Sequence, residues 1–381
     1  MKSAVVIGGS NGIGLAITKQ LLNQGIGVKV LDLVSPSIED ENLTYYPCNL
    51  MDYDEEFIKE FAFDPEVSML IMTAGLGRVA DFDDLDTVEI KKIMQINATA
   101  QIAILRLFYH RLKENTPFYS CIMGSIAGHV SSPMLSVYSA SKAAVCRAVE
   151  SINIELEASG TANRILDVSP GSVEGTKFNG GENNISLIEE LASDIINRML
   201  SGETLYIPKM EIYGGVIERY QKDPRGFGLS SYEYKKKSGR IRTSSTKVGY
   251  LSGTFDLFHV GHLNLIRRAK AQCDYLIVGV HPDASHKNKQ TFIPFEERKA
   301  VVGAIKYVDK VVTSCPEDDE AWRLHHYDKL FVGSDYKGTP RFEKYEEYFK
   351  DKGVEIVYFP YTQTTNSTMI RDKISKKAEE A

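Results

Sequence analysis

Residues 4–7 read Ala-Val-Val-Ile, and four of the next seven residues are glycine, with Ser10, Asn11 and Ile13 between them. A hydrophobic run that breaks into close glycines and then into a helical pattern has few structural solutions. At Gly8, Gly12 and Gly14 the missing Cβ atoms let backbone N–H groups and a helix N-terminus approach a pyrophosphate. Such a turn opens a parallel βαβ unit, and Asp32 closes the next β-rich run, as a dinucleotide site requires. A second hydrophobic run, 248–252, breaks into Gly253-Thr254-Phe255-Asp256-Leu257-Phe258-His259-Val260-Gly261-His262. The chain therefore begins a nucleotide-handling α/β unit twice. The two fingerprints are unrelated, so this is no internal repeat.

A length of 381 residues favours two domains, and a hydrophobic share of 43% is enough to bury two cores. Strands are expected near 3–8, 27–32, 43–48, 67–73, 118–124 and 163–168. Helices are expected near 13–25, 53–62, 86–113, 135–159 and 186–200, with a short strand at 203–207 and a helix at 211–221. Residues 223–246, rich in glycine, serine, lysine and arginine, read as a solvated linker between a domain at 1–222 and another at 247–381. The second domain should hold strands at 248–251, 274–280, 328–333 and 353–359 and helices at 261–271 and 295–306. Its aromatic-rich stretch 336–349 reads as an amphipathic helix and loop. The expected class is α/β, two Rossmann-like doubly wound parallel sheets.

The net charge of −6 argues against general nucleic-acid binding. No apolar run approaches the roughly 20 residues of a membrane span. A strand begins after a single lysine and leaves no room for a signal peptide. Five scattered cysteines without a CxxC pair read as reduced thiols. A cytoplasmic protein is expected.

Tyr138-Ser139-Ala140-Ser141-Lys142 lies thirteen residues beyond Ser125. With the glycine turn, these residues resemble the short-chain dehydrogenase/reductase family over roughly 1–215. The resemblance implies a catalytic set of Asn97, Ser125, Tyr138 and Lys142. It places Ser10, Asn11, Ile13, Asp32, Asn49, Leu50, Ala74, Gly75, Pro170, Gly171 and Thr176 along the dinucleotide, with Thr73 standing where the family has asparagine. Carbonyl reduction puts charge on oxygen, so a proton donor must stand there. A tyrosine pKa of about 10 is high for that work, and a lysine one helical turn away should lower it. Ser125 can hydrogen-bond the substrate oxygen, and Asn97 can hold a relaying water. A carboxylate at Asp32 without arginine at 11 or 33 repels a ribose 2′-phosphate, by about 4 kcal/mol at close range. NAD(H) is expected over NADP(H).

His259 and His262 share a helix face beside an N-terminus that favours phosphate. The segment from 247 to about 376 resembles the cytidylyltransferase-like nucleotidyltransferases, and within them the glycerol-3-phosphate cytidylyltransferases. That resemblance implies nucleotide contacts from Gly253, Thr254, Phe255, His259, His262, Lys287, Lys289, Arg298, Asp335, Ser367 and Thr368, with His259, His262 and Lys287 also catalytic. Asp256 is a candidate for setting a phosphate-bound Mg²⁺. Tyr361 replaces an arginine of the family pattern. The acceptor phosphate would attack the α-phosphorus in line and pyrophosphate would leave.

Together the two constellations imply reduction of a ketose phosphate to a polyol phosphate, then its coupling to CTP. The product would be a CDP-polyol of the ribitol or glycerol type, a precursor for cell-wall or capsular polymers. An adenylyltransferase, or a regulator with one silent domain, stays open as an alternative. Apolar positions on several faces of 86–113 and 135–159, among them Ile102, Leu105, Ala144, Val145, Ala148 and Ile152, imply a homo-oligomer assembled through the first domain.

Overall fold

The computed structural model describes residues 3–179, 183–238, 241, 247–283, 291–360 and 370, and the chain divides into units Met1–Ser244 and Ser245–Ala381. The first unit opens with β1 (Ser3–Ile7), α1 (Gly12–Asn23), β2 (Gly27–Asp32) and β3 (Leu43–Pro47). Then come α2 (Glu55–Phe63), β4 (Val67–Met72), α3 (Thr87–Met94) and α4 (Ala100–Lys113). After them follow β5 (Tyr119–Met123), α5 (Ser136–Ala158), β6 (Ile165–Val168) and α6 (Glu189–Leu200). The unit closes with β7 (Leu205–Tyr206), α7 (Met210–Lys222) and α8 (Pro224–Lys237).

Its strands form one seven-stranded sheet in the order β3-β2-β1-β4-β5-β6-β7, and every pairing is parallel. A parallel sheet is covered on both faces, so its strands carry apolar residues in continuous runs. Side chains alternate along β1 accordingly. Val5 and Ile7 pack with Ile58 of α2, Ile104 of α4 and Val145 of α5. Ala4 and Val6 pack on the other face with Ala16 and Ile17 of α1 and Ile195 of α6.

The second unit contains β8 (Val248–Gly253), α9 (Val260–Lys270), β9 (Tyr275–Val280), α10 (Phe295–Gly303) and β10 (Lys310–Thr313). It continues through α11 (Asp318–His325), β11 (Lys329–Gly333), α12 (Pro340–Phe349) and β12 (Glu355–Phe359). The order β10-β9-β8-β11-β12 is again all parallel. Leu251, Ile266 of α9 and Val302 of α10 fill one face. Tyr250, Ala321 of α11 and Phe342 and Tyr345 of α12 fill the other. Two doubly wound α/β sheets are thus present, as the sequence predicts.

Three departures from that reading have physical causes. The single helix expected over 86–113 is two helices joined by a π-helical turn, Gln95–Thr99. The extra residue of that turn carries Asn97 inward, and π-turns of this kind recur at functional sites. The stretch read as linker holds α8, whose glycines hid it from a propensity argument. Asp223 caps it through Gly226 N at 2.9 Å, and Pro224 stands in its first turn. Lys235 of α8 donates to Ser132 Oγ at 2.7 Å and to the Pro133 carbonyl at 2.9 Å. Burial lowers its ammonium to about 8. Finally, β10 and α11 carry little sequence signal, because β10 has only four residues and α11 opens on a run of acidic ones. Among the described residues no helix is long and apolar enough to cross a membrane. All five cysteines are free thiols.

If α8 is a folded part of the first unit, amides in its second and third turns exchange slowly. Hydrogen–deuterium exchange should show protection over 229–237, and Lys235→Ala should remove most of it. Coil-like exchange there in the unmodified chain would refute this assignment.

Candidate functional site

The first constellation gathers at the carboxyl ends of β1, β4 and β5, where the strand order turns around. Gly8 has a φ of +86° and lies so near β4 that a Cβ would stand 2.5 Å from Ala74 N. A Cβ on Gly14 would sit on the Gly8 carbonyl. The Thr73 hydroxyl donates to that same carbonyl at 3.0 Å. This is the close passage a dinucleotide pyrophosphate needs. Asp32 accepts from Ser10 N at 3.0 Å and from Leu33 N at 2.7 Å, so its carboxylate is fixed beside the glycine turn. Ser10 Oγ donates to Val34 O at 2.6 Å. Asn49 is exposed and accepts from Met51 N, whereas Leu50 is buried under Gln95.

Tyr138 and Lys142 lie one turn apart on α5, and both are buried. Lys142 Nζ donates to the Met123 carbonyl at 2.7 Å and stands 5.8 Å from the centroid of the tyrosine ring. Burial lowers the lysine to about 8. Burial also pushes the tyrosine up to about 12, while a hydrogen bond with Ser125 pulls the other way. The expectation that the lysine lowers the tyrosine is therefore not met in the free protein. Desolvation dominates both groups. Ser125 accepts from Ala127 N at 3.2 Å and donates to the Pro170 carbonyl at 3.4 Å.

Asn97 uses its side chain differently from the relay expected of it. Its Oδ1 accepts from Leu76 N at 2.9 Å, and its Nδ2 donates to Leu76 O at 2.8 Å and to Ser141 Oγ at 3.1 Å. Both amide hydrogens are engaged, so Asn97 ties the loop after β4 to α5. Gly75 stands close by, its would-be Cβ 3.4 Å from both Asn97 Oδ1 and Lys142 Nζ.

The segment after β6 lies over this site. Thr176 comes within 3.5 Å of where a Gly12 Cβ would be. Asn183 accepts from Gly12 N at 3.1 Å and donates to Asn11 Oδ1 at 2.8 Å. Phe178 packs on the Tyr138 ring at 5.1 Å between centroids. Tyr213 of α7 accepts from Ser172 N at 3.2 Å, beside Gly171. Ile13 packs against the core on the α1 face. Phe178, Asn183 and Tyr213 belong to no sequence motif, and only the fold brings them here.

In the second unit the loop between β8 and α9 is conformationally strained. Phe255 and Leu257 have φ of +52° and +51°, a region L-residues enter at a cost and mostly at functional loops. His259 caps α9, its Nδ1 accepting from Gly261 N at 3.1 Å, which leaves the proton of the neutral ring on Nε2. Burial lowers its pKa. The His262 ring stacks on it at 3.9 Å between centroids. The Thr254 hydroxyl is buried with no hydrogen-bond partner among the described residues. Gly253 lies against the Phe255 ring. Asp335 is exposed in the turn after β11.

Two expected ligand contacts turn out to be struts. Arg298 is 1% exposed, and its guanidinium donates to the carbonyls of Ile293, Thr254, His281 and Pro282. Asp256, 5% exposed, accepts from Phe292 N at 3.1 Å and Ile293 N at 3.0 Å. They pin the loop ends around the histidines instead. Lys287, Lys289, Ser367, Thr368 and Tyr361 lie outside the described residues.

A family model described as short chain dehydrogenase matches residues 2–184, and one described as cytidylyltransferase-like matches residues 250–373. Over 127 residues the chain is 34% identical to the glycerol-3-phosphate cytidylyltransferase of Bacillus subtilis (strain 168), covering 32% of this chain and 93% of that protein. Over 82 residues it is 44% identical to the ethanolamine-phosphate cytidylyltransferase of Dictyostelium discoideum, covering 20% of this chain and 23% of that protein. A short chain dehydrogenase from Burkholderia cenocepacia J2315, solved in complex with NADP, superposes with a TM-score of 0.51 at 20% identity. It covers 60% of this chain and 96% of its own, a likeness of fold.

The free-protein value near 8 for Lys142 sets a pH dependence. Above it the ammonium loses its proton and no longer offsets charge appearing on the tyrosine oxygen. For carbonyl reduction, kcat/KM reports free-enzyme groups and should fall about tenfold per pH unit beyond that point. Lys142→Met should be slow throughout and lack this limb. An unmodified enzyme with a flat profile to pH 10 would contradict this role.

Proposed function

Because the chain belongs to the cytidylyltransferase-like family through its second unit and to the short-chain dehydrogenases through its first, we propose that it makes an alcohol and then activates it. In this reading the first unit reduces a ketose phosphate to a polyol phosphate. The second joins that phosphate to CTP, giving a CDP-polyol and pyrophosphate. One observation carries the reading: Ser125, Tyr138 and Lys142 beside a glycine turn, and a stacked histidine pair at a helix start, stand on one chain. A polyol phosphate is the simplest compound that is product for one and substrate for the other. The glycerol-3-phosphate cytidylyltransferase relative supports a small polyol phosphate as acceptor. CDP-ribitol from ribulose 5-phosphate is the first assignment and CDP-glycerol the second, either serving as a donor for cell-wall or capsular polymers.

The close passage at Gly8, Gly14 and Ala74 fits a dinucleotide, with Asp32 placed for its adenosine ribose. When bound, the dinucleotide supplies the hydride to the carbonyl carbon. Ser125 Oγ holds the carbonyl oxygen and Tyr138 gives it a proton. The Lys142 ammonium offsets the charge left on the tyrosine, and Phe178 shields the pocket from water. In the second unit the substrate phosphate attacks the α-phosphorus in line. The Nε2–H groups of His259 and His262, with Lys287 and Lys289, neutralise charge on the oxygens that leave. Ser367 and Thr368 are proposed to hold the triphosphate. Mg²⁺ is assigned to the triphosphate itself, since Asp256 is committed to backbone N–H groups. The enzyme is proposed to work in the cytoplasm as a homo-oligomer joined through its reductase units, where Ile154 of α5 is 64% exposed.

A pyrophosphate-release screen of CTP and ATP against phosphorylated polyols, with and without NAD(P)H and the matching ketose phosphates, tests the whole reading. CTP with ribitol 5-phosphate or glycerol 3-phosphate should give release, and ATP should not. Release with ATP alone would replace the cytidylyl assignment by an adenylyl one. Tyr138→Phe should abolish nicotinamide oxidation and leave release from CTP plus supplied polyol phosphate intact. Loss of both would break the two-site reading.

The cofactor preference is a separate outcome. NADH should be used better than NADPH, and Asp32→Ala should narrow the gap by roughly tenfold or more in kcat/KM, since a carboxylate near a 2′-phosphate is worth a few kcal/mol. Steady-state kinetics with both cofactors decides it, and a clear NADPH preference in the unmodified enzyme would refute the assignment to Asp32.

A further inference from the structure

Directly behind Ser125, three elements of the reductase unit bring different metal-ligating side chains together. His129 follows the short turn Ile126–Gly128, Cys146 lies on α5 and Asp167 on β6. One donor atom from each lies within 4.8 Å of the others. Ser169 Oγ stands among them, 3.0 Å from His129 Nε2, 2.8 Å from Asp167 Oδ1 and 3.6 Å from Cys146 Sγ. Around a tetrahedral zinc with bonds of about 2.0–2.3 Å, adjacent ligand atoms lie roughly 3.3–3.6 Å apart. The serine–histidine and serine–aspartate separations need to open by only a few tenths of an ångström.

Two independent observations point to a cation. Asp167 is 4% exposed, and none of the ion pairs among the described residues of this unit includes it. The Lys142 ammonium acts on this carboxylate only through space, and a dication in direct contact offsets the remaining cost of burying it. The three side chains also line a cavity of about 750 Å³, which gives an ion and a water a route in. Space on the catalytic side is closed, since even a Cβ at Gly124 would stand 2.5 Å from Ser169 Oγ and 3.0 Å from Cys146 Sγ. None of these groups is assigned a step in hydride transfer, although Cys146 and Asp167 both act electrostatically on Lys142.

We propose that His129, Cys146 and Asp167 form a site for a divalent transition metal of the zinc class, with Ser169 or a cavity water in the fourth position. Nitrogen, thiolate and carboxylate together select a borderline-soft ion over magnesium or calcium. On binding, the Cys146 thiol gives its proton to solvent and the sulfur takes the metal as thiolate. His129 carries its remaining proton on Nδ1 and offers the Nε2 lone pair. No electron changes hands. The ion would join α5, which carries Tyr138 and Lys142, to β6 and to the turn after Ser125.

Cobalt(II) is the probe. The full chain, stripped with a chelator and dialysed, should bind one equivalent with a thiolate-to-cobalt absorption band in the near ultraviolet and release of about one proton. Cobalt on His259 and His262 would give no such band. Cys146→Ser should abolish the band, and His129→Gln, at a half-buried position, should weaken binding at least about tenfold with the circular dichroism unchanged. Absence of the band in the unmodified chain would mean a hydrogen-bonded set only, with His129 donating to Ser169 and Ser169 to Asp167, and would overturn the proposal. So would a band that survives Cys146→Ser. If that variant fails to fold, unchanged cobalt affinity in His129→Gln overturns it equally.

Discussion

At the end of β1 the Gly8 carbonyl is enclosed by groups that leave it no room to move. The Thr73 hydroxyl holds it at 3.0 Å, and Gly14 packs where any side chain would collide with it. This one contact joins the end of β1, the start of α1 and the end of β4. It thereby fixes the place where the sheet order turns around, with β2 on one flank of β1 and β4 on the other. Crevices at such reversals are where open α/β sheets bind ligands. Thr73 stands where the resembling family has asparagine, and its hydroxyl reaches the Gly8 carbonyl. In the second unit the order reverses between β9 and β11 around β8, and the loop with the two histidines leaves from that strand.

Electrostatically, the two sites meet opposite problems by the same means. Tyr138 and Lys142 are a donor and a cation buried together, and desolvation drives both toward their neutral forms. His259 is also driven toward neutrality by burial, and the His262 ring is stacked on it. An anionic phosphate or a developing oxyanion is the kind of partner that makes the charged forms favourable again.

Much of this was legible from residues whose spacing has a geometric meaning. The glycines at 8, 12 and 14, the tyrosine and lysine four apart, and the His-x-x-His at a helix start all fall where the spacing placed them. What failed was anything decided by direction. Arg298 and Asp256 look like ligand contacts in a motif, yet the fold turns them inward to carbonyls and N–H groups. A sequence does not say which way a side chain points across a loop. Asn97 stands in the expected place with its amide already committed, because the π-turn that carries it has no local signature. The helix at 224–237 was concealed by Gly226 and Gly228, since propensity counts the cost of glycine and misses the docking of Lys235. The cluster around Ser169 was invisible because its members are 17, 21 and 2 residues apart and follow no period.

The Asn183 amide oxygen already accepts from Gly12 N, at the N-terminal end of α1 where a pyrophosphate oxygen would bind. A dinucleotide arriving there exchanges a neutral acceptor for a charged one, so it gains only the difference between them. Because Asn183 is tethered, it competes at a high effective concentration however little free cofactor is present. A dinucleotide bound at Gly12 N would have to displace this amide oxygen.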